Sequence, residues 1–421
     1  PPSPVSSAPG SPSLPPTAPC TIDPFDMGQF ELLSAAGWIL VTAVAWKARG
    51  RAFAIYSAVV LGLFTLLSLP LHARLAAIGP AFEYLQAVTY LSFAMLLRPR
   101  MRPWPYRVLV SVPAAFHLAA VLLSIPWGLS ALFGFDLPWP FLPHAVAAVG
   151  VLESLWTRET EVHVALDDEH VQELRRHRLS PAREERGLRV IQITDPHLGP
   201  FMSVPRLRRI CERAVARHPD LILLTGDLLT MESRGTPSVL REALQPLAAA
   251  RGRVFACMGN HDHEAPELVK AALVELGIRL LIDESELVRT PAGPVQLLGI
   301  DHYWRDRKRR LAEVCARHPR IQGALRVVLL HDPGAFSRLP EGEADLVLSG
   351  HTHGGQLGLL TLGLPFTFVS AVTSIPDHGL WARGRDRLYV HRGTGHYGFP
   401  LRVGVPAEQS VLHVYSPGST S

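Results

Sequence analysis

The strongest constraint on this chain lies in its first 157 residues, where apolar stretches run through about 28–46, 52–73, 75–97, 108–133 and 137–157. Each is near the roughly 20 residues that span a bilayer, and almost no charge falls inside them. In hydrocarbon every backbone N–H and C=O must find its partner within the protein, so such segments fold as helices. Trp38, Trp46, Trp104, Trp127, Trp139 and Trp156 cluster towards their ends, as interfacial aromatics do. Residues 28–157 are therefore expected to form a multi-pass transmembrane region of about five helices. Lys47, Arg49 and Arg51 follow the first stretch, and Arg98, Arg100, Arg102 and Arg107 follow the third. The positive-inside rule puts both loops in the cytoplasm. With five spans, the region after Arg158 is cytoplasmic as well; with four it lies outside.

The flanks are different in kind. Residues 1–27 are rich in Pro, Ser and Ala and are expected to be a disordered tail. No signal peptide is expected there, and Met27 is an alternative start. Residues 158–187 are charged and helix-compatible, which predicts a linker. The net charge of +4 is mild and its basic residues have acids nearby. That balance describes a solvated surface, and no nucleic-acid partner is expected. Cys20, Cys211, Cys257 and Cys315 are isolated from one another, which excludes a zinc ribbon and a disulfide framework and favours a reducing compartment.

From residue 188 to 416 the pattern becomes β/α. Apolar runs at 188–194, 220–225, 253–258, 295–300, 326–331 and 344–349 read as strands, with helices expected near 204–218, 237–250, 266–277 and 305–318. Alternation of this kind predicts an α/β core. The polar residues concentrate where strands end: Asp195-Pro-His197, Gly226-Asp227, Gly259-Asn260-His261-Asp262, His331-Asp332 and Gly350-His351-Thr352-His353-Gly354-Gly355-Gln356. In open α/β sheets the site lies at the carboxyl ends of strands, so these clusters can meet in one place. Each alone is an ordinary turn; the ordered set is not.

The residue types match one chemistry. Two divalent ions about 3.5–4 Å apart can clamp a phosphoryl group and lower the pKa of a bridging water. They need a carboxylate that bridges them and neutral nitrogen and oxygen donors besides. Imidazoles on a glycine-rich turn can serve different ions of one cluster. Mixed His, Asp and Asn ligation without thiolate points to two divalent metal ions, Mn first, with Fe, Zn or Co as alternatives. His261 reads from the residues alone as either a further ligand or an acid.

The set D-x-H, G-D, G-N-H-D, H and G-H-x-H, over about residues 188–416, resembles the calcineurin-like metallophosphoesterase superfamily. The resemblance implies a four-layer α/β sandwich of two β-sheets flanked by helices, with a dinuclear centre. By that likeness Asp195, His197 and His353 hold one metal, Asn260, His331 and His351 hold the second, and Asp227 bridges. His261 is then the general acid and Asp262 a candidate to orient it. Apolar spans, G-H-T-H-G-G-Q and the Gly-rich run Arg392-Gly393-Thr394-Gly395 before Pro400-Leu401-Arg402-Val403-Gly404 are similar to the membrane branch, the transmembrane proteins with a metallophosphoesterase domain. This implies a membrane-bound hydrolase of a phosphoester or pyrophosphate, of a small-molecule or lipid-linked substrate. Hydrolysis of UDP-2,3-diacylglucosamine, a step of lipid A biosynthesis, is one candidate activity. Pro196, His302 and His396 depart from the usual pattern around the pocket. Arg392 and Arg402 are candidates to meet substrate phosphate, as guanidinium groups do bidentately. The apolar loop Leu357–Val369 is either core or a segment that meets lipid. Two rivals stand beside this reading: a membrane transporter or receptor with a non-catalytic metal-binding domain, and a nuclease of the same superfamily.

Overall fold

The structure, a computed structural model, describes residues 28–167 and 169–416; the expected N-terminal tail lies outside them. The apolar stretches are helical: α1 (Gln29–Arg49), α2 (Arg51–Arg74), α3 (Gly79–Met95), α4 (Trp104–Tyr106), α5 (Val112–Leu123), α6 (Ile125–Leu132) and α7 (Leu142–Leu155). A π-helical turn at Arg107–Ser111 joins α4 to α5 into one helix, Trp104–Leu123. Among the described residues three helices, Gln29–Arg49, Arg51–Arg74 and Trp104–Leu123, are long and apolar enough to cross a membrane by length and composition, and the stretches expected at 75–97 and 137–157 form shorter helices. α3 has 17 residues and α7 has 14, because Leu96 and Trp156 leave the helix early.

Small residues let the helices approach. A Cβ on Gly37 would meet the Tyr90 ring at 2.9 Å, and one on Gly62 would meet Trp38 at 3.0 Å. Close backbone approach of this kind drives helix association in lipid, where the hydrophobic effect does not. The outward faces keep large apolar residues exposed, among them Leu33, Ile39, Leu40, Val59 and Leu66.

Two mixed sheets follow. The first runs β1 (Thr157–Ala165), β13 (Ala407–Tyr415), β3 (Leu188–Ile193), β4 (Leu221–Leu224), β5 (Val254–Ala256), β6 (Arg279–Leu280). The second runs β2 (Val171–Arg176), β11 (Gly379–Gly384), β12 (Asp386–Val390), β10 (Leu346–Ser349), β9 (Leu325–Leu330), β8 (Gly293–Ile300), β7 (Glu284–Thr290). Strand alternation sorts the side chains. Val190, Leu221, Leu223 and Phe255 face Leu297, Val327, Leu329, Leu346 and Leu348 between the sheets. Ile191, Ile193, Ile222 and Leu224 turn outward against α8 (Val204–Ala216), α9 (Ser238–Leu244) and α10 (Pro266–Glu275). α11 (Arg307–Arg317) covers the second sheet through Leu311 and Val314, and α12 (Phe368–Val372) is a short surface turn. This is the helix–sheet–sheet–helix sandwich.

The segment 158–187, expected as a linker, instead supplies an edge strand to each sheet. β1 pairs parallel with β13, from Thr157↔Ala407 to Ala165↔Tyr415, and β2 pairs antiparallel with β11. Its charged residues mask the pattern: in β1 only Thr157, Val162 and Val164 are buried. α7 therefore runs almost directly into a sheet. Arg206 of α8 fixes this junction, donating to Ser154 O (2.8 Å), Phe201 O (2.7 Å) and Thr157 Oγ1 (2.8 Å). Arg206→Met leaves these acceptors without a donor, which costs about 2 kcal/mol or more. Thermal unfolding of the detergent-solubilised full-length protein is expected to shift down accordingly, and an unchanged transition would show that the junction does not depend on this residue.

Candidate metal centre

The five strand-end clusters meet on one edge of the sandwich. β3 delivers Asp195 and His197, β4 Asp227, β5 Asn260 and His261, β9 His331, and β10 His351 and His353. Backbone strain marks the place: Asp195, His197, Asp227, His351 and His353 all have φ between 45° and 69°. Non-glycine residues adopt that region rarely, and such strain persists only where the surroundings enforce it. Gly350 is required by proximity, since a Cβ there would lie 2.1 Å from Asp195 Oδ2.

The side chains form two groups. Asp195, His197 and His353 offer ligand atoms within 4.8 Å of one another, and so do Asp227, His331 and His351. The turn thus sends His353 to one group and His351 to the other. Asp227 joins them: its Oδ2 is 3.5 Å from His197 Nε2 and 3.3 Å from His331 Nε2. Asp195 is held by the His351 N–H, at 3.1 and 3.0 Å to its two oxygens, and by the Thr194 hydroxyl at 2.8 Å. Carbonyls fix the tautomers. His331 Nδ1 lies 2.7 Å from Thr225 O, and His197 Nδ1 lies 3.2 Å from Leu229 O. A carbonyl only accepts, so each Nδ1 carries a proton and each Nε2 is the atom turned towards the ligand cluster.

The electrostatics suit a cation. Burial pushes His197 down to about 3 and His351 to about 4, and holds His353 well below the usual range. These rings are neutral donors. Burial also pushes Asp195 up to about 7, with His331 opposing and Asp227 adding to the rise. His197 Nε2 and Asn260 Oδ1 are buried without a hydrogen-bond partner, whereas His331, despite its burial, is held up at about 10 by the Asp227 and Asp195 carboxylates. Orphaned lone pairs beside buried carboxylates are costly in a protein interior, and a positive ion among them removes that cost. The donor set fits divalent metal.

Several side chains take roles that differ from those expected. Asp262 does not orient His261. It is fully buried and accepts from the backbone N–H of Asp227 (2.7 Å), Leu228 (2.9 Å) and Gly259 (2.9 Å), tying two loops together. Glu264 orients the ring instead, accepting from His261 Nδ1 at 2.7 Å, and is itself paired with Arg234. The spacing H-x-x-E was the available signal.

Arg392 and Arg402 are likewise corrected. Arg402 is fully buried and donates to the carbonyls of His353, Val405, Arg392 and Gly395. Arg392 pairs with buried Glu408. Neither guanidinium is open to substrate phosphate; together they brace the loop that carries His353. Tyr397, missed in the sequence, stacks on His197 at 5.0 Å and meets the His261 ring edgewise at 4.9 Å. His302 stands beside His331 and His351, with ring centroids 6.4 and 6.2 Å away. The apolar loop after the histidines is not core: Leu362, Leu364, Phe366 and Phe368 are all more than half exposed.

Residues 188–355 match the calcineurin-like phosphoesterase family. Phosphodiesterase YaeI of Escherichia coli is 31% identical over 248 residues, covering 58% of this chain and 88% of that protein. The chain belongs to the calcineurin-like phosphoesterase family. It is a metal-dependent phosphoester hydrolase acting on a phosphorylated substrate. Metallophosphoesterase YkoQ of Bacillus subtilis is 30% identical, covering 53% of this chain and 82% of that one. The transmembrane protein with metallophosphoesterase domain of Danio rerio is 30% identical, over 53% of this chain and only 52% of its own length.

In this calcineurin-like site the two carboxylates have separable duties. Glu264→Gln is expected to lower kcat about tenfold with the unfolding transition in place. Asp262→Ala strands three backbone N–H groups and is expected to destabilise by roughly 3 kcal/mol. If the two variants exchange these effects in paired kinetic and unfolding measurements, the assignment is reversed.

Proposed function

We propose that this chain is a multi-pass membrane phosphoesterase with a dinuclear metal centre, which hydrolyses a phosphoester or pyrophosphate of a lipid-linked or membrane-proximal substrate. The observation that carries the reading is the shared position of Asp227, whose Oδ2 lies against one imidazole from each ligand group. Asp195, His197 and His353 would hold one ion, Asn260, His331 and His351 the other, and Asp227 both. Bound there, two divalent ions, Mn first among them, supply the charge that polarises the phosphoryl group and acidifies water.

The chain's own contribution is placement and one proton. The backbone N–H of His261 donates to Asp227 Oδ1 at 2.8 Å, so the residue is anchored to the ligand loop. Burial disfavours its charged form, but the Glu264 hydrogen bond and Asp227 outweigh it and raise the pKa above the ordinary histidine value. With Nδ1 held by Glu264, Nε2 carries the proton that the leaving oxygen takes as its bond to phosphorus breaks and water oxygen bonds in its place.

Several contacts support a site at the membrane face. Arg107 donates to Pro200 O at 2.8 Å, the Met101 N–H binds Thr236 Oγ1, and Phe53 and Ala45 pack with Met231. The basic loops at 47–51 and 98–107 thus lie on the catalytic side, which supports a cytoplasmic site. The exposed apolar loop around Phe366 and Phe368 and the same-side Trp156 suit an interfacial position. UDP-2,3-diacylglucosamine remains a candidate substrate, and no nucleic-acid partner is expected.

Full-length protein is expected to cleave bis-p-nitrophenyl phosphate and UDP-2,3-diacylglucosamine with added Mn²⁺ and to lose both activities on chelation. Cleavage of the chromogenic diester alone would remove the lipid nucleotide as substrate. Asp227→Asn and His261→Ala are each expected to lower turnover by about 100-fold or more, while metal analysis shows loss only in the first. Equal metal loss in both would make His261 a ligand.

A further inference from the structure

The ligand cluster opens into a larger space. A cavity of about 790 Å³ runs from His197 and His261, past Tyr397, into the helical bundle, where α2, α3 and α5 line it. Volumes of this size hold whole ligands. Its lining mixes two chemistries: His261, Glu264, Arg234 and Arg49 are polar or charged, while Phe53 and Tyr56 of α2, Phe93 of α3, Leu96 just after it and Leu118 of α5 are largely apolar. The space exists because Ser111 of the π-helical turn and Ala114 and Ala115 of α5 line it, where larger side chains would fill it. Ile55, next to cavity-lining Tyr56 on α2, is half exposed, so the bundle beside the cavity keeps apolar surface uncovered. Glu232 lines the same cavity within the field of Arg102 and Arg107, and its Oε2 is buried without a hydrogen-bond partner. A buried acceptor left unpaired is costly, and a hydroxyl or amine on a ligand's polar head would satisfy it.

We propose that this cavity takes the apolar tail of an amphiphilic phosphoester, which lies among α2, α3 and α5 while its phosphate meets the ligand cluster and its head donates to Glu232. The inference rests on the hydrolase reading above and adds where the tail lies and which helices select it. A substrate loaded in this way need not leave the bilayer. Each methylene buried between the helices adds binding free energy that a short-chain analogue lacks.

The test compares methyl and decyl p-nitrophenyl phosphate on full-length protein in detergent with Mn²⁺. In the wild type the decyl-to-methyl ratio of kcat/KM is expected to be at least about tenfold. Ala115→Trp, on the cavity wall, and Ala52→Trp, at its α2 edge, are expected to bring the ratio towards one. Because the ratio is taken within one preparation, partial misfolding does not alter it. A wild-type ratio near one, or a ratio unchanged in both variants, would overturn the proposal. A second readout needs no turnover: decyl phosphate with a terminal diazirine, irradiated with metal chelated and mapped by mass spectrometry. Labelling within 52–56, 89–96 or 111–118, reduced by excess decyl phosphate, supports the cavity; labelling confined to the outer face of α1 overturns it. Cavity labelling without cleavage of either ester would sink the hydrolase reading and keep the lipid site. Cleavage of both esters without length dependence or cavity labelling would do the reverse.

Discussion

Asp227 is the constraint on which the site depends. Its Oδ2 faces an imidazole from each ligand group, its Oδ1 accepts the His261 N–H, and its own N–H is held by Asp262. Its carbonyl accepts the His197 N–H. One residue at φ 56° therefore sets the positions of both groups and of His261 beside them. Such crowding of buried charge and lone pairs is unfavourable by itself. The two sheets make it possible by holding the loops from both sides. Gln192 of β3 donates to Thr225 Oγ1 and to Ser349 O, linking the sheets directly beneath the clusters.

The helical bundle is part of the same construction. Its junction with the sandwich runs through backbone carbonyls and buried guanidinium groups rather than through a flexible tether. Arg206 binds Ser154 O, the Arg402 N–H binds Ser154 Oγ, and a Cβ on Gly150 would lie 2.8 Å from Arg402 O. Arg402 also reaches His353 O. The end of α7 and a candidate ligand are thus two hydrogen bonds apart, and a shift of the bundle has a short route to the site.

What was legible in the chain follows from how local each signal is. Clusters at strand ends could be found because the apolar run, the turn glycine and the polar residues are contiguous, as in Leu346–Ser349 followed by Gly350 and His351. Edge strands were not legible. β1 shows one buried face among charged residues and depends on β13, some 250 residues later. β13 itself carries Glu408, Gln409 and Ser410 in its interior, where Tyr389 and Arg392 satisfy the glutamate. The arginines misled for the same reason. A guanidinium near a glycine-rich run looks the same whether its partner is a phosphate or a ring of carbonyls.

The sequence by itself determined that apolar helices precede an α/β phosphoesterase domain, and which side chains could ligate metal. Those properties depend on residue type and short-range spacing. Only the tertiary structure decided that Glu264 rather than Asp262 holds His261, that Arg392 and Arg402 serve the interior, and that the helices border the catalytic cavity. Each of these depends on which groups share a low-dielectric space across distant parts of the chain. There a hydrogen bond left unmade costs more than any local preference can repay.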